Sequence, residues 1–388
     1  MDKKNCTIGI LSVNPPGQVG SMARYERMLS EACETNRNVY KIETVCLALP
    51  SRVLSKFPAK ARNIIHHLWI MLMGQAKLSF YKDVDIFHVV DGSYAYVADH
   101  IRQKPVVITA HDIIPYLQKE GVLVTPTKPS WFSGHIIERS RRVLKKAHMI
   151  ISDTKKTKND LVAYAHLDPA RIKVVCPALP QRFNDIVSKG DMETWQEKRN
   201  SDEAYILTVG NNAFYKNRPG ILNIYKKVRE KINIRLVIAG EGPDKELLGA
   251  VKKMDLIDAV IFEIDPNDDA LVELYKNACL FLFPSMYEGF GWPPLEAMAC
   301  GCPVVCSDAA SLPEVVGTAA LTAPYDDIDA MFYHCCKILD DQFLAEDLIV
   351  RGFEQSKKFS LEKMTEGILD VYSSVLENAA GRNVGDLL

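Results

Sequence analysis

The sequence lacks an apolar run long enough to cross a bilayer. A membrane-spanning helix needs about 20 consecutive apolar residues, and the longest stretch, from Ile64 to Met73, is interrupted by His66 and His67. No secretory leader is predicted, because the apolar residues after the N-terminal basic pair are too few and fit a first buried strand better. We therefore expect a cytoplasmic protein, which would meet a membrane only peripherally, on its inner face.

Spaced cysteine pairs are lacking as well. The ten cysteines include no pairs with histidines at the spacing of a zinc site. The groups Cys300-Cys302-Cys306 and Cys335-Cys336 fit small buried residues of a reduced protein. The sequence thus predicts neither a disulfide framework nor a metal site.

Charge is distributed unevenly along the chain. Residues 1–185 contain 27 Lys and Arg against 16 Asp and Glu, whereas residues 186–388 contain 20 against 33. The basic half fits an anionic membrane or a phosphorylated substrate. Nucleic acid is the rival partner, but no recognised nucleic-acid motif accompanies the charge, and we predict no nucleic acid as partner.

Two stretches mix basic residues with bulky apolar ones. Residues 52–82 contain six Lys and Arg and no acid, and residues 128–146 contain six against one Glu. This mixture is typical of a surface that lies on an anionic membrane. The alternative interpretation is a helix that packs on a sheet and exposes a solvated basic face.

Short apolar runs alternate with amphipathic helices in both halves, which indicates an α/β protein with two doubly wound parallel sheets. The polar segment 180–202 is the predicted linker, so the domains are expected at 1–183 and from 184 onward. Ligands are expected beyond the carboxyl ends of the strands, in a cleft between the domains. The predicted strands are 7–11, 86–90, 105–109, 149–152, 205–209, 234–239, 259–262, 280–283 and 303–306.

Two carboxylates, Glu288 and Glu296, flank a Gly-Phe-Gly turn between a predicted strand and a predicted helix over 293–300. Free N–H groups at a helix start attract phosphate. Carboxylates beside such a site suit sugar hydroxyls as hydrogen-bond acceptors. The pattern indicates a site for a nucleotide diphosphate linked to a sugar.

The run from Pro284 to Gly317, which contains both carboxylates, resembles the signature of the family-4 retaining glycosyltransferases. The resemblance implies the GT-B architecture, with two Rossmann-like doubly wound domains facing a central cleft. The first domain would bind mainly the acceptor, and the second, over 184–360, mainly the nucleotide sugar. It also implies that the last helix, within 361–388, crosses back onto the first domain.

Two further loops resemble the family. The loop that includes Gly20 and ends at Arg24-Tyr25 is similar to its Gly-Gly-Ile-Gly-Arg-Tyr loop, with Ser21 in place of one glycine. The loop after the strand 205–209 has Lys216 where the family has a diphosphate-binding lysine, but Asn211 where it usually has arginine. The implied donor-binding residues are Gly20, Gly210, Asn211, Lys216, Gly289, Phe290, Gly291 and Glu296.

The resemblance also implies the catalytic roles. Glu288 would hold donor-sugar hydroxyls, Lys216 would stabilise the departing diphosphate, and His111 would face the sugar. Retention would follow from attack on the face that the diphosphate leaves. No metal and no cofactor is expected, and Asp83-Val-Asp85, which has the form of a metal-binding Asp-x-Asp motif, is interpreted as the start of a strand.

The predicted function is hexose transfer from a nucleotide diphosphate sugar to a glycan or lipid-linked acceptor. GDP-mannose is favoured as donor over a UDP-hexose. Two alternatives remain open. One is a nucleotide-sugar epimerase of the same fold, which would need no second acceptor. The other is a non-catalytic membrane scaffold, which the departures at Asn211 and Ser21 favour and the presence of Lys216, Glu288 and Glu296 opposes.

Overall fold

The computed structural model describes residues 6–14, 20–34, 39–126, 130–183 and 195–385. Contacts between Cα atoms divide the chain into two compact units. Unit 1 comprises Met1–Ala178 with Leu361–Leu388, and unit 2 comprises Leu179–Ser360. Each unit is built on one six-stranded sheet.

The sheet of unit 1 has the strand order β2-β1-β3-β4-β5-β6, and all of its pairs are parallel. The α-helices described in unit 1 are α1 to α6 and the C-terminal α15. The strands are β1 Cys6–Ser12, β2 Tyr40–Cys46, β3 Ile86–Val89, β4 Val106–Ala110, β5 Met149–Ser152 and β6 Ile172–Val174. The helices are α1 Ser21–Glu34, α2 Ser51–Leu54, α3 Ala59–Leu78, α4 Ile114–Lys119, α5 Trp131–Leu144, α6 Lys155–Ala165 and α15 Leu361–Gly385, with 3-10 turns at Gly92–His100 and Pro169–Arg171.

The sheet of unit 2 has the order β12-β11-β10-β7-β8-β9, again with parallel pairs. Its apolar residues pack into a core between the sheet and the surrounding helices. The strands are β7 Tyr205–Gly210, β8 Arg235–Gly240, β9 Val260–Ile264, β10 Leu280–Phe283, β11 Val304–Ser307 and β12 Ala320–Ala323. The helices are α7 Trp195–Asn200, α8 Arg218–Arg229, α9 Lys245–Lys253, α10 Asp268–Asn277, α11 Trp292–Ala299, α12 Leu312–Val316, α13 Ile328–Asp340 and α14 Gln342–Ser356, with a 3-10 turn at Phe214–Lys216.

The predicted α/β class with two parallel sheets is confirmed, and each of the nine predicted strands overlaps an observed one. Three strands, β2, β6 and β12, were not predicted. All three lie at sheet edges, where one side of the strand is less covered and the sequence need not be continuously apolar. In β2, for example, buried Tyr40 and Val45 bracket the exposed Lys41 and Thr44 and the partly exposed Ile42 and Glu43.

The predicted linker, 180–202, contains structure that the sequence reasoning missed. Residues 184–194 lie outside the described part of the chain. Directly after them Trp195 begins α7, is 4% exposed, and donates a hydrogen bond from Nε1 to the carbonyl oxygen of Cys279 at 2.9 Å. The end of this segment is therefore anchored in the core of unit 2.

Helix α15 packs on the sheet of unit 1. The Tyr372 hydroxyl lies 2.7 Å from Nδ1 of the buried His88 in β3, and the Ser373 hydroxyl lies 2.9 Å from the Tyr40 hydroxyl. Among the described residues, no helix combines the length and hydropathy that a bilayer crossing requires.

The ends of β7 and β8 approach so closely that a side chain would not fit between them. Gly210 and Gly240 are paired in register, and a Cβ atom on Gly240 would lie 2.3 Å from the Gly210 carbonyl oxygen. Gly240 also has φ +122°, a backbone conformation that favours glycine. Glycine at this position lets the loops that follow the two strands lie side by side.

Replacing Gly240 by Ala should therefore destabilise unit 2. The clash and the positive φ together should lower the free energy of unfolding by more than about 1 kcal/mol. Urea denaturation measures the loss. Gly249→Ala is the matched control, because Gly249 lies in α9 and a Cβ there would have no neighbour within 4 Å; this change should be neutral or stabilising. Equal midpoints for both variants would contradict the packing argument.

Candidate active site

Two loops at the carboxyl edge of the unit 2 sheet are joined by hydrogen bonds. The backbone N–H of Asn212, in the loop after β7, donates to Oε2 of Glu241, in the loop after β8, at 2.9 Å. The Asn212 side-chain amide donates to the Gly242 carbonyl oxygen at 2.7 Å. The two loops therefore form one layer at the strand ends, where ligands bind in sheets of this kind.

The centre of this edge is an ion pair between Lys216 and Glu288. Lys216 Nζ lies 2.7 Å from Glu288 Oε1, and the two side chains are only 13% and 11% exposed. The Lys216 ammonium also lies 5.1 Å from the ring centre of Phe283, at the end of β10. A Cβ on Gly210 would be 3.5 Å from Lys216 Cδ, so Gly210 lies against the lysine stem. The structure thus brings together three of the predicted site residues.

Serine residues hold the loop that carries Glu288. The Ser285 hydroxyl lies 2.5 Å from Glu288 Oε1. The Ser311 hydroxyl lies 2.8 Å from the carbonyl oxygen of Glu288 and 2.7 Å from that of Phe290, and the Ser307 hydroxyl donates to the Ser285 carbonyl oxygen at 2.5 Å. Sequence reasoning missed these serines. Their position beside the ends of the adjacent strands β10 and β11 was the available signal.

The turn between Glu288 and α11 has the predicted shape. Gly291 has φ +115° and precedes the first helical residue, and a Cβ there would lie 2.8 Å from Leu312 Cδ2. Gly289 is buried. The Phe290 side chain is 6% exposed and packs edge-on against Phe359 at 5.4 Å. The buried side chain of Phe290 therefore anchors the turn through its contact with Phe359.

Glu296 lies one turn into α11 and is more deeply buried than Glu288. It is 2% exposed, and its Oε2 accepts a hydrogen bond from the Tyr275 hydroxyl at 3.0 Å. Tyr275 belongs to α10 and is fully buried. Sequence reasoning missed this partner, and the contact of Glu296 with a ribose stays a prediction.

Asn211, at the position where the family usually has arginine, shapes the loop. Its Oδ1 accepts a hydrogen bond from the Ala213 N–H at 3.1 Å. Arg218, at the start of α8, is 7% exposed and donates from Nη2 to the Gly210 carbonyl oxygen at 2.6 Å. Burial lowers the pKa of Arg218 to about 10, so the guanidinium remains charged at neutral pH. A second cation thus lies behind the loop that carries Lys216.

Two of the predicted residues belong to unit 1. Gly20 has φ +141°, and a Cβ on it would meet nothing within 4 Å; it directly precedes α1, and its carbonyl oxygen accepts from the Arg24 N–H at 3.0 Å. The preceding part of the predicted loop, 16–19, lies outside the described residues. The ring of Tyr25, in α1, packs edge-on against His111 at 4.5 Å.

His111 directly follows β4, and both of its ring nitrogens face acceptors. Nδ1 lies 2.8 Å from Asp153 Oδ2, and Nε2 lies 2.8 Å from the Val90 carbonyl oxygen. Each contact needs a ring N–H, so the geometry fits the doubly protonated imidazolium. Burial lowers the pKa of His111, but the charge and hydrogen bond of the Asp153 carboxylate outweigh burial and raise the pKa to about 9.

Asp153 is a further residue that sequence reasoning missed. The neighbouring Asp112 accepts a hydrogen bond from the Ile114 N–H at 2.9 Å and so caps the next turn. Asp153 orients the imidazole instead. It follows β5, the neighbour of β4, so adjacency of strand ends was the available signal. The contact of His111 with a sugar stays a prediction.

The Asp83-Val-Asp85 segment has a structural role. Asp85 Oδ2 accepts a hydrogen bond from the Thr7 N–H in β1 at 2.8 Å. Within the described ranges, no cluster of three or more His, Cys, Asp or Glu side chains has the geometry of a metal site.

Two family models match consecutive parts of the chain. The model described as Glycosyltransferase Family 4 matches residues 32–180, and the model described as Glycosyl transferases group 1 matches residues 191–355. O-antigen chain mannosyltransferase B of Escherichia coli is 38% identical over 175 residues, which cover 44% of this chain and 46% of the relative. The chain thus matches about half of the length of that relative.

Solved structures share the fold. Sucrose-phosphate synthase from Thermosynechococcus elongatus has a TM-score of 0.74 at 17% identity, covering 96% of this chain and 100% of that chain. Anabaena Alr3699/HepE in complex with UDP-glucose has a TM-score of 0.70 at 15% identity, covering 95% and 99%. The fold is therefore that of the GT-B glycosyltransferases, as predicted. The chain belongs to the family-4 glycosyltransferases, whose two models match its two halves.

The pair of His111 and Asp153 should make stability depend on pH. The pKa of histidine is about 6.5 in an unfolded chain and about 9 for His111 in the folded protein. Protonated His111 should contribute fully at pH 6.5 and lose its contribution as the pH rises through 9, by up to about 3 kcal/mol. Urea unfolding at pH 6.5 and pH 9.5 measures this loss.

Asp153→Asn should flatten the pH dependence because the imidazolium loses its counter-ion. Asp168→Asn is the matched control, since it removes another carboxylate of unit 1 that accepts a backbone hydrogen bond, from the Ala170 N–H at 2.9 Å, and does not face His111. A pH dependence in Asp153→Asn as steep as that of the parent would show that the pair is not responsible.

Proposed function

We propose that the protein transfers a hexose, with mannose favoured, from a nucleotide diphosphate sugar to a glycan or lipid-linked acceptor. The observation that carries this proposal is the contact of Lys216 with Glu288. The bond to be broken in such a donor joins a sugar to a phosphate. A cation for the phosphate and a carboxylate for the sugar hydroxyls must therefore be neighbours, and these two groups are 2.7 Å apart.

In the proposed catalytic step, charged groups that are already positioned in the unliganded protein stabilise the leaving diphosphate. As the sugar–phosphate bond breaks, negative charge grows on the diphosphate, and Lys216 together with the positive end of the α11 dipole would stabilise it. Glu288 would accept hydrogen bonds from sugar hydroxyls and, when the donor binds, share its lysine with the phosphate. The reaction would need no divalent cation and would retain the configuration at the sugar carbon, with the diphosphate accepting the acceptor's proton.

Mannose leads among the donors because O-antigen chain mannosyltransferase B is similar over 175 residues. The UDP-glucose complex of the structurally similar HepE supports a nucleotide diphosphate sugar as the donor class. Neither alternative is favoured. An epimerase would release no nucleotide in response to an acceptor, and a scaffold would have no use for the charged pair.

The two carboxylates should have separable effects. Glu296→Gln should weaken donor binding by roughly 1.5–3 kcal/mol, the range for a hydrogen bond to a charged group. Glu288→Gln should mainly lower turnover. Calorimetric binding of GDP-mannose and acceptor-dependent release of nucleoside diphosphate in EDTA measure the two effects.

Glu246→Gln, on the exposed face of α9, is the matched control and should change neither quantity. Normal activity of both site variants with every donor that the parent uses would refute the site. Loss of activity in EDTA, restored by Mg²⁺ or Mn²⁺, would refute the metal-free mechanism.

The proposed membrane contact is made by α3. Ile64, Leu68 and Leu72 recur every four residues and are 41%, 44% and 78% exposed, so they form one apolar stripe. The opposite face of the helix contains the buried His67 and Ile70. An exposed apolar stripe in a segment that contains six Lys and Arg and no acid, residues 52–82, fits an anionic bilayer surface.

In the second basic stretch, 128–146, two of the arginines already form ion pairs within the protein. Lys128 lies outside the described residues. Arg139 pairs with Asp99 at 2.8 Å and Arg141 with Glu138 at 2.6 Å. Membrane contact through this stretch stays a prediction.

Polar substitution of the stripe should weaken membrane binding. The double variant Leu68→Ser, Leu72→Ser should lose at least tenfold in affinity for vesicles with anionic lipid, because each leucine buried in lipid contributes about 1.5–3 kcal/mol. Co-sedimentation at low and high salt measures this. Phe343→Ser is the control, because Phe343 is 83% exposed in unit 2. Equal binding by parent and double variant would refute the contact.

A further inference from the structure

A cavity of about 630 Å³ lies between α4 and α5 of unit 1. Its volume is in the range of small-molecule sites. None of the predicted site residues lines it, and its walls include Gln118 and Lys119 from α4 and Trp131, Gly134, His135 and Glu138 from α5.

One wall of the cavity is an exposed aromatic platform. Trp131 is 78% exposed, although such a large apolar side chain is usually buried. The His135 ring packs on the indole with 4.0 Å between ring centres. His135 Nδ1 donates to the Trp131 carbonyl oxygen at 2.9 Å, which leaves Nε2 as the acceptor nitrogen of the neutral ring.

Gly134 keeps the space beside this platform open. It lies inside α5, where glycine is less favourable than alanine. A Cβ on Gly134 would meet nothing within 4 Å, so packing does not require glycine there. The missing side chain instead lets a ligand approach the helix backbone.

The remaining lining is polar and close to neutral. Lys119 Nζ lies 2.9 Å from Glu138 Oε2, with both side chains about one third exposed. Hydrogen bonds from Arg141 hold the pKa of Glu138 at about 2, so the carboxylate stays charged. With Glu120 also in the lining, carboxylates outnumber the single lysine, which disfavours phosphate groups and anionic lipid. Gln118 adds an amide with both donor and acceptor capacity.

We propose that this cavity binds a saccharide unit of the acceptor glycan. A pyranose ring has an apolar C–H face, which would stack on the Trp131 indole. Its hydroxyls would bond to Gln118, His135 Nε2 and Glu138. The assignment of the glycan as acceptor rests on the proposed function, whereas saccharide binding itself does not.

The test measures the binding of linear mannotetraose to the full chain by saturation-transfer NMR, in the absence of donor. The parent should bind saturably. Trp131→Ala, which removes the platform, and Gly134→Leu, which fills the cavity while improving helix propensity, should each weaken binding at least tenfold. Gly134→Ala should retain most of the binding, and Tyr333→Ala, a change at a residue 60% exposed in unit 2, should retain all of it.

Three results of the binding experiments would overturn the proposal: no saturable binding by the parent, equal binding by Gly134→Leu and Gly134→Ala, or loss of vesicle binding in Trp131→Ala with unchanged mannotetraose binding. The last result would identify Trp131 as a membrane contact. Transfer assays separate this site from the proposed function. Mannotetraose binding without any transfer would support the saccharide site and refute the transferase activity. Transfer at the parent's rate by both Trp131→Ala and Gly134→Leu would support the activity and refute the role of the cavity in acceptor binding.

Discussion

Parallel pairing of the strands is the constraint on which the structure of both units depends. Because every observed pair is parallel, the carboxyl ends of all strands in a sheet lie at one edge. Residues far apart in the sequence, such as Lys216 after β7 and Glu288 after β10, meet there because their strands are neighbours. Because Gly210 and Gly240 approach closely at the ends of β7 and β8, the loops that follow these strands also lie side by side. The same rule brings His111 and Asp153 together in unit 1.

Two of these contacts, Lys216 with Glu288 and His111 with Asp153, are buried charged pairs, which has consequences for function. A buried ion pair gains little net stability, but loss of one partner leaves an uncompensated charge and costs several kcal/mol. Lys216 and Glu288 therefore hold each other in a fixed orientation in the unliganded protein. A donor bound as proposed would share the lysine between its phosphate and Glu288, and the sugar hydroxyls would donate further hydrogen bonds to the carboxylate. Ser285, whose hydroxyl contacts Glu288 Oε1, would hold the carboxylate while the donor binds.

Unit 1 presents surfaces of a different kind. The stripe on α3 is apolar and lies in a segment with six Lys and Arg and no acid, whereas the cavity beside Trp131 combines an aromatic wall with polar, nearly neutral side chains. An interfacial surface and a saccharide site have these two compositions. A lipid-linked glycan would need both, since one end of such a molecule is anchored in a bilayer and the other is a sugar chain.

The sequence by itself determined the fold class, the interior strands and the family, because continuously apolar strands and the run from Pro284 to Gly317 are local patterns. It also indicated Lys216, Glu288 and His111, each of which follows a strand. Only the tertiary structure decided their partners. Ser285, Asp153 and the edge strand β2 are polar or mixed in sequence and acquire their roles through neighbours distant in the chain. The contacts between strand ends and the cavity beside Gly134 arise from packing of segments that are distant in the sequence, so no local sequence pattern predicts them.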